Sequence, residues 1–151
     1  MRVHIGCDHA GFELKNYLLN QLGDAGYEMI DHGPQEYDPQ DDYPMFCIVT
    51  AEAVAAEPGS LGLVIGGSGN GEQIAANRVA GIRAALIYSI ETSTLARQHN
   101  DAQVAGLGAR MHTLDEAANL AKTFLSTPFS EEPRHQRRID VLSTFDAEHC
   151  R

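Results

Sequence analysis

The sequence predicts an α/β fold: one domain with a five-stranded parallel sheet and helices on both of its faces. Three observations carry this. The 151 residues are 43% hydrophobic, enough for one cored domain. Strand-like and helix-like segments alternate along the chain. The strand-like segments are continuous apolar runs, the pattern of strands buried on both faces.

Met1–Cys7 reads as the first strand, ending at Asp8-His9. Phe12, Leu14, Leu18, Leu19 and Leu22 recur at helical spacing up to Gly23 and Gly26. Tyr27–Asp31 is a second strand. His32–Asp42, with Gly33, Pro34 and Pro39, reads as a surface loop. Tyr43–Ala56 is helical and is stopped by Pro58-Gly59. Leu61–Ile65 is a third, fully apolar strand. A glycine loop over Gly66–Gly71 leads into a helix across Glu72–Arg78. Ile82–Tyr88 is a fourth strand, followed by a helix across Glu91–His99. Ala102–Leu107 is the fifth strand, Leu114–Leu125 a helix, and a C-terminal helix runs near 132–145. The whole chain, 1–151, reads as one domain.

Eleven Lys and Arg stand against 21 Asp and Glu, a net charge of −10. That balance disfavours nucleic acid and anionic membranes as partners. No apolar stretch approaches the length of a membrane span. The cysteines, Cys7, Cys47 and Cys150, are odd in number and lack metal-ligand spacing. With no signal peptide evident, they read as free thiols in a reducing cytosol.

Ligands of open parallel sheets bind at the carboxyl ends of the strands. Asp8, Gly66–Gly71, His99-Asn100 and Arg110 all follow predicted strands or stand at loop-facing helix ends. The loop Gly66-Gly67-Ser68-Gly69-Asn70-Gly71 has four glycines in six positions and opens a helix. Its backbone N–H groups can converge on an anion. It is no Walker A loop, since Gly-Lys-Ser/Thr is absent, and it matches a dinucleotide fingerprint only imperfectly. Glu72 directly follows. A carboxylate there repels phosphate but suits proton abstraction beside a carbonyl, with the enediolate resting in the cradle. It equally suits a simple partner for the helix dipole, and the residue pattern does not separate the two.

Asp8 is either a helix cap or a ligand contact. His99 is either a surface imidazole or an acid for a sugar ring oxygen. Arg134, His135, Arg137 and Arg138 form the basic cluster of this acidic chain, with Arg134 and Arg138 on one helix face. Such guanidinium forks suit phosphate, and Arg110 can join them. Asp38, Asp41 and Asp42 lack an EF-hand pattern and read as a solvated loop. His4, His32, His112 and His149 show no partner spacing. Cys7 reads as a buried strand-end thiol.

Taken together, Gly6-Cys7-Asp8-His9-Ala10-Gly11-Phe12, Asp42-Tyr43-Pro44, Gly67–Gly71, Ile74-Ala75-Ala76-Asn77, Gly81-Ile82-Arg83-Ala84-Ala85 and Arg97-Gln98-His99-Asn100-Asp101 resemble the ribose-5-phosphate isomerase B family over nearly the whole chain. That family also includes galactose-6-phosphate isomerase subunits. The resemblance implies a Rossmann-like three-layer domain, a homodimer or dimer of dimers with pockets at subunit interfaces, and a metal- and cofactor-free aldose–ketose isomerase of the pentose phosphate pathway. It implies that Asp8, His9, Gly67, Ser68, Gly69, Asn70, Gly71, Asn100, Arg110, Arg134 and Arg138 hold the sugar phosphate. His99 would open the ring, Tyr43 would line the pocket, and His135 would border the phosphate. Many members carry a cysteine base at the position of Gly66. A second branch places a glutamate after the loop, as Glu72 stands here, and the resemblance is to that branch. Glu72, His99, Ser68 and Asp8 are then the expected catalytic set. A hexose or four-carbon sugar phosphate as substrate, and a non-catalytic sugar-phosphate sensor, are the alternatives.

Overall fold

The computed structural model describes residues 1–149, so Cys150 lies outside the described residues. Five strands, β1 (Arg2–Cys7), β2 (Glu28–Asp31), β3 (Leu61–Gly66), β4 (Ala84–Leu86) and β5 (Val104–Gly108), form one sheet in the order β2-β1-β3-β5-β4. Every pairing is parallel. Six helices connect and flank the strands: α1 (Phe12–Asp24), α2 (Tyr43–Ala56), α3 (Asn70–Ala76), α4 (Ile90–Asn100), α5 (Leu114–Ser126) and α6 (Pro133–His149).

The strands' two-residue alternation sorts the core into two halves. Val3, Ile5 and Cys7 of β1, with Leu61, Leu63 and Ile65 of β3, pack against α1, α4 and α5. Val64 and Val104 point the other way, against Cys47, Ala51 and Val54 of α2 and Ala75 and Ala76 of α3. All six residues of β3 are buried, as its apolar run predicts for a central strand. Capping boxes start two of the helices, Ser89 with Thr92 at α4 and Thr113 with Glu116 at α5.

Several predicted boundaries shift, the fifth strand from 102–107 to Val104–Gly108 among them. The fourth strand contracts from 82–88 to Ala84–Leu86, because it is an edge strand paired only with β5. The helix after the glycine loop begins two residues early, at Asn70, once Gly69 takes a left-handed φ of 83°. The C-terminal helix extends to His149.

The chain direction reverses its outward winding between β1 and β3. At such a switch point the connections leave to opposite sides and open a crevice above the strand ends. Asp8, just past β1, and Gly66, the last residue of β3, border that crevice.

Candidate active site

The site grows from the carboxyl ends of β1, β3 and β5. Asp8 is buried, and its Oδ1 accepts the N–H groups of Ala10 and Gly11 at 2.9 and 3.2 Å. It caps the short 3-10 turn over His9–Gly11. The capping reading of Asp8 is therefore right, and capping fixes this carboxylate at the crevice. The loop after β3 is short. Gly67, Ser68 and Gly69 turn the chain, and the N–H of Asn70, the first residue of α3, donates to Ser68 Oγ at 3.3 Å. Arg110, exposed after β5, lies over Gly67 and is tied there by a hydrogen bond from its N–H to the Gly67 carbonyl at 3.1 Å. Tyr43, at the start of α2, lays its ring against Gly71 so closely that a Cβ at Gly71 would meet the ring at 2.7 Å.

Glu72 sits in the first turn of α3 and is only 4% exposed. Its carboxylate occupies the space that a side chain at Gly66 would fill: a Cβ built on Gly66 would overlap Glu72 Cγ, Cδ and Oε1. The Glu72 carboxylate and any side chain at position 66 would therefore compete for one space. Glu72 Oε2 is buried with no hydrogen-bond partner. Burial pushes the carboxyl pKa up, and the nearby Asp8 charge adds to it. The N–H groups of Glu72 itself and of Gly69 pull the other way and lose. A helix N-terminus weakens a base; here desolvation outweighs it.

His9 is gripped by Asp41. Asp41 Oδ1 accepts the His9 backbone N–H at 2.8 Å and pairs with Nδ1 at 2.7 Å. The expectation of a solvated aspartate loop over residues 38–42 is corrected at Asp41, whose side chain is 9% exposed. The partners are 32 residues apart, so no local pattern could reveal the contact. Among the described residues, Asp8, His9 and Asp41 form the group of three whose ligand atoms lie within 4.8 Å of one another. His9 Nδ1 and Asp41 Oδ1 are engaged with each other, so the group is a hydrogen-bonded pair beside a capping carboxylate. Cys7, below the crevice, is buried, and burial raises its thiol pKa to about 12. His4 and His32 bond to each other at 2.9 Å and take no part in this site.

The remaining predicted residues are elsewhere. In a parallel sheet the connecting helices run back, so α4 ends at the amino ends of the strands. His99 and Asn100 stand there, with the Asn100 carbonyl held by Arg83 at the entry to β4. The convergence expected for His99 and Asn100 at the strands' carboxyl ends does not occur within one chain. His135 is 2% exposed, lies against His99 with ring centroids 4.2 Å apart and the rings tilted by 40°, and shares a hydrogen bond at 2.9 Å with Ser130 Oγ. Burial, then the neighbouring His99, lowers its pKa. Arg134 and Arg138 are exposed on α6 beside this pair, and Arg134 Nε bonds Glu132 at 2.8 Å. The candidate residues thus fall into two groups at opposite poles of the sheet. Asp8, His9, Tyr43, Gly67–Glu72 and Arg110 form one. His99, Asn100, Arg134, His135 and Arg138 form the other.

The fold and the first group define a class: a doubly wound α/β protein with a desolvated carboxylate beside a glycine loop at the switch point. The family model described as Ribose/Galactose Isomerase matches residues 3–142, and the chain belongs to that family. Ribose-5-phosphate isomerase B of Mycobacterium leprae is 55% identical over 149 residues, covering 99% of this chain and 92% of the relative. The solved ribose-5-phosphate isomerase B of Clostridium thermocellum superposes with a TM-score of 0.93 at 38% identity, covering 99% of both chains. That of Mycoplasma genitalium, with ribulose 5-phosphate bound, also gives 0.93, at 37% identity and 97% coverage of each.

Proposed function

We propose that this chain is an aldose–ketose isomerase that interconverts ribose 5-phosphate and ribulose 5-phosphate through an enediolate. The observation that carries the reading is Glu72: a buried carboxylate with an orphaned oxygen and a raised pKa, set where the branch with cysteine keeps its base. A base held above the ordinary carboxylate range is better matched to a carbon acid. The relative that carries ribulose 5-phosphate supports the choice of substrate.

In this mechanism arginines clamp the phosphate. His99 gives a proton to the ring oxygen, and Asp8 accepts a hydroxyl proton as the ring opens. Glu72 takes the C2 proton of the aldose and becomes neutral. The enediolate rests against the N–H groups of Gly67–Gly71, with the Ser68 hydroxyl assisting. As a proton passes from O2 to O1 of the enediolate, Glu72 returns its proton to C1, giving the ketose. One base suffices because the proton moves between adjacent carbons on one face.

The working unit is a homodimer, or a dimer of dimers. Glu72 and His99 stand at opposite poles of one chain, so one pocket needs the cradle of one subunit and the His99, Asn100, Arg134 and Arg138 group of another. The surface beside the cradle suits such a partner: Tyr88 and Met111 are 62% and 64% exposed around a depression of about 360 Å³ that also reaches Ser68 and Asn70. Two buried free thiols, Cys7 and Cys47, fit a cytoplasmic setting.

The test is isomerisation of ribose 5-phosphate by the purified protein, with and without EDTA, beside Glu72→Gln. Activity that survives EDTA and drops by about 10²–10⁴-fold in the variant is expected for loss of a general base. Full activity in Glu72→Gln would remove Glu72 from the role, and a wild type inert on ribose 5-phosphate would remove the substrate.

A further inference from the structure

We propose that Asp41 is a positioning residue for His9: it fixes the imidazole as a cationic donor that receives an anionic group of the substrate at the crevice mouth. This rests on the isomerase reading only for the identity of that substrate.

The geometry is specific. One oxygen, Asp41 Oδ1, takes both the backbone N–H and the ring Nδ1 of His9, at 2.8 and 2.7 Å. The backbone bond anchors the carboxylate to the residue whose ring it orients. Because Nδ1 is committed to the carboxylate, Nε2 is the nitrogen left to serve a ligand. The Tyr37 ring meets the imidazole edge-on, with centroids 6.5 Å apart and an interplanar angle of 83°.

Two further features separate this from ordinary loop packing. The Asp41 side chain is nine-tenths buried, and its Oδ2 has no partner. Holding a loop to the His9 N–H needs only a neutral amide; burying a carboxylate for it is costly unless the charge has a use. The loop that carries Asp41 is also braced at its root. Asp31 accepts Lys15 Nζ at 2.6 Å, the Gly33 N–H at 2.8 Å and Gln35 Nε2 at 3.3 Å, and the Asp41 N–H donates to the Asp38 carbonyl at 3.2 Å.

The two carboxylates beside His9 act in the same direction. The bond to Asp41 is the largest influence and raises the pKa, and the charges of Asp8 and Asp41 raise it further. Partial burial and the Arg110 guanidinium across the mouth lower it, and the net effect is upward. His9 therefore stays cationic over a pH interval where a free histidine, with a pKa of about 6.5, has lost its proton.

The experiment compares wild type, Asp41→Asn, His9→Gln and the double variant. Nitrogen-detected NMR follows the His9 ring through a pH titration of the ligand-free protein. Calorimetry measures inorganic phosphate and ribose 5-phosphate binding, and kinetics separate KM from kcat. Asp41→Asn should lower the His9 midpoint. It should weaken binding and raise KM about five- to tenfold, the loss of one charge-assisted contact, between the two midpoints. Below both measured midpoints, where both imidazoles are charged, the difference should vanish. In the His9→Gln background, Asp41→Asn should add nothing. An unchanged His9 midpoint would overturn the proposal, and so would an equal loss at every pH. A wild type inert on ribose 5-phosphate would sink the isomerase reading alone, since titration and phosphate binding still decide the role of Asp41.

Discussion

Gly66 and Glu72 share one volume, and adding a single methyl group tests whether that matters. Gly66→Ala places a Cβ inside the space of the Glu72 carboxylate. The site has no slack, because Glu72 is 4% exposed and Gly66 lies in a fully buried strand. Ordinary carbon contacts need about 3.5–4.0 Å, so the carboxylate must retreat by roughly 1 Å or more. Overpacking of this kind costs about 1–3 kcal/mol. A displacement of that size can cost about 10²-fold in rate by spoiling the attack geometry. The assays are urea unfolding and the initial rate of ribose 5-phosphate isomerisation. In a Glu72→Ala background the space is open, so the stability cost of Gly66→Ala should fall to near zero, a coupling of about 1–3 kcal/mol. Gly66→Cys with Glu72→Ala should regain part of the activity that Glu72→Ala loses, because a thiol then stands where the carboxylate stood. Gly66→Ala with unaltered rate and unaltered stability would refute the claim that the carboxylate works from this position.

Other perturbations bear on the remaining parts of the argument. Mixing Glu72→Gln subunits with His99→Asn subunits, each inactive alone, should restore about a quarter of wild-type activity, since half the dimers carry one intact site of two; no recovery after verified subunit exchange would place both residues in one chain's pocket. The raised pKa of Glu72 means the folded state holds its proton to higher pH than the unfolded chain. Stability therefore falls as pH rises from the ordinary glutamate value of about 4.3 through the raised one. Glu72→Gln should accordingly be more stable than wild type at pH 7 and lose that advantage below pH 4, read by thermal unfolding at both pH values. Lys15 is 1% exposed and paired with Asp31, which is 22% exposed and keeps the Gly33 N–H and Gln35 Nε2 as donors, so Lys15→Met should cost about 1–3 kcal/mol in denaturant unfolding. Thr113→Ala removes the cap of α5, where the Thr113 hydroxyl pairs with Glu116, and should cost about 1 kcal/mol in denaturant unfolding.

Much of this protein is written locally. A short apolar run bounded by glycines, such as Leu61–Ile65, reads as a strand buried on both faces, and four glycines in residues 66–71 read as a turn able to gather backbone N–H groups. Those features made the sheet and the glycine loop legible, the arginine cluster and His99 stood out as candidates, and the resemblance favoured the base role for Glu72 that the residue pattern left open. Tertiary structure decided what depends on distant partners. The burial that raises the Glu72 pKa comes with α2, α3 and the missing side chain at Gly66, and desolvation is a property of the assembled interior. Asp41 reads as a loop aspartate until His9, 32 positions away, closes on it. His99 and Glu72 look like neighbours in function, yet parallel strands with returning helices put them at opposite ends of the sheet. Sequence supplies the chemical groups; which of them share one pocket is set by chain direction.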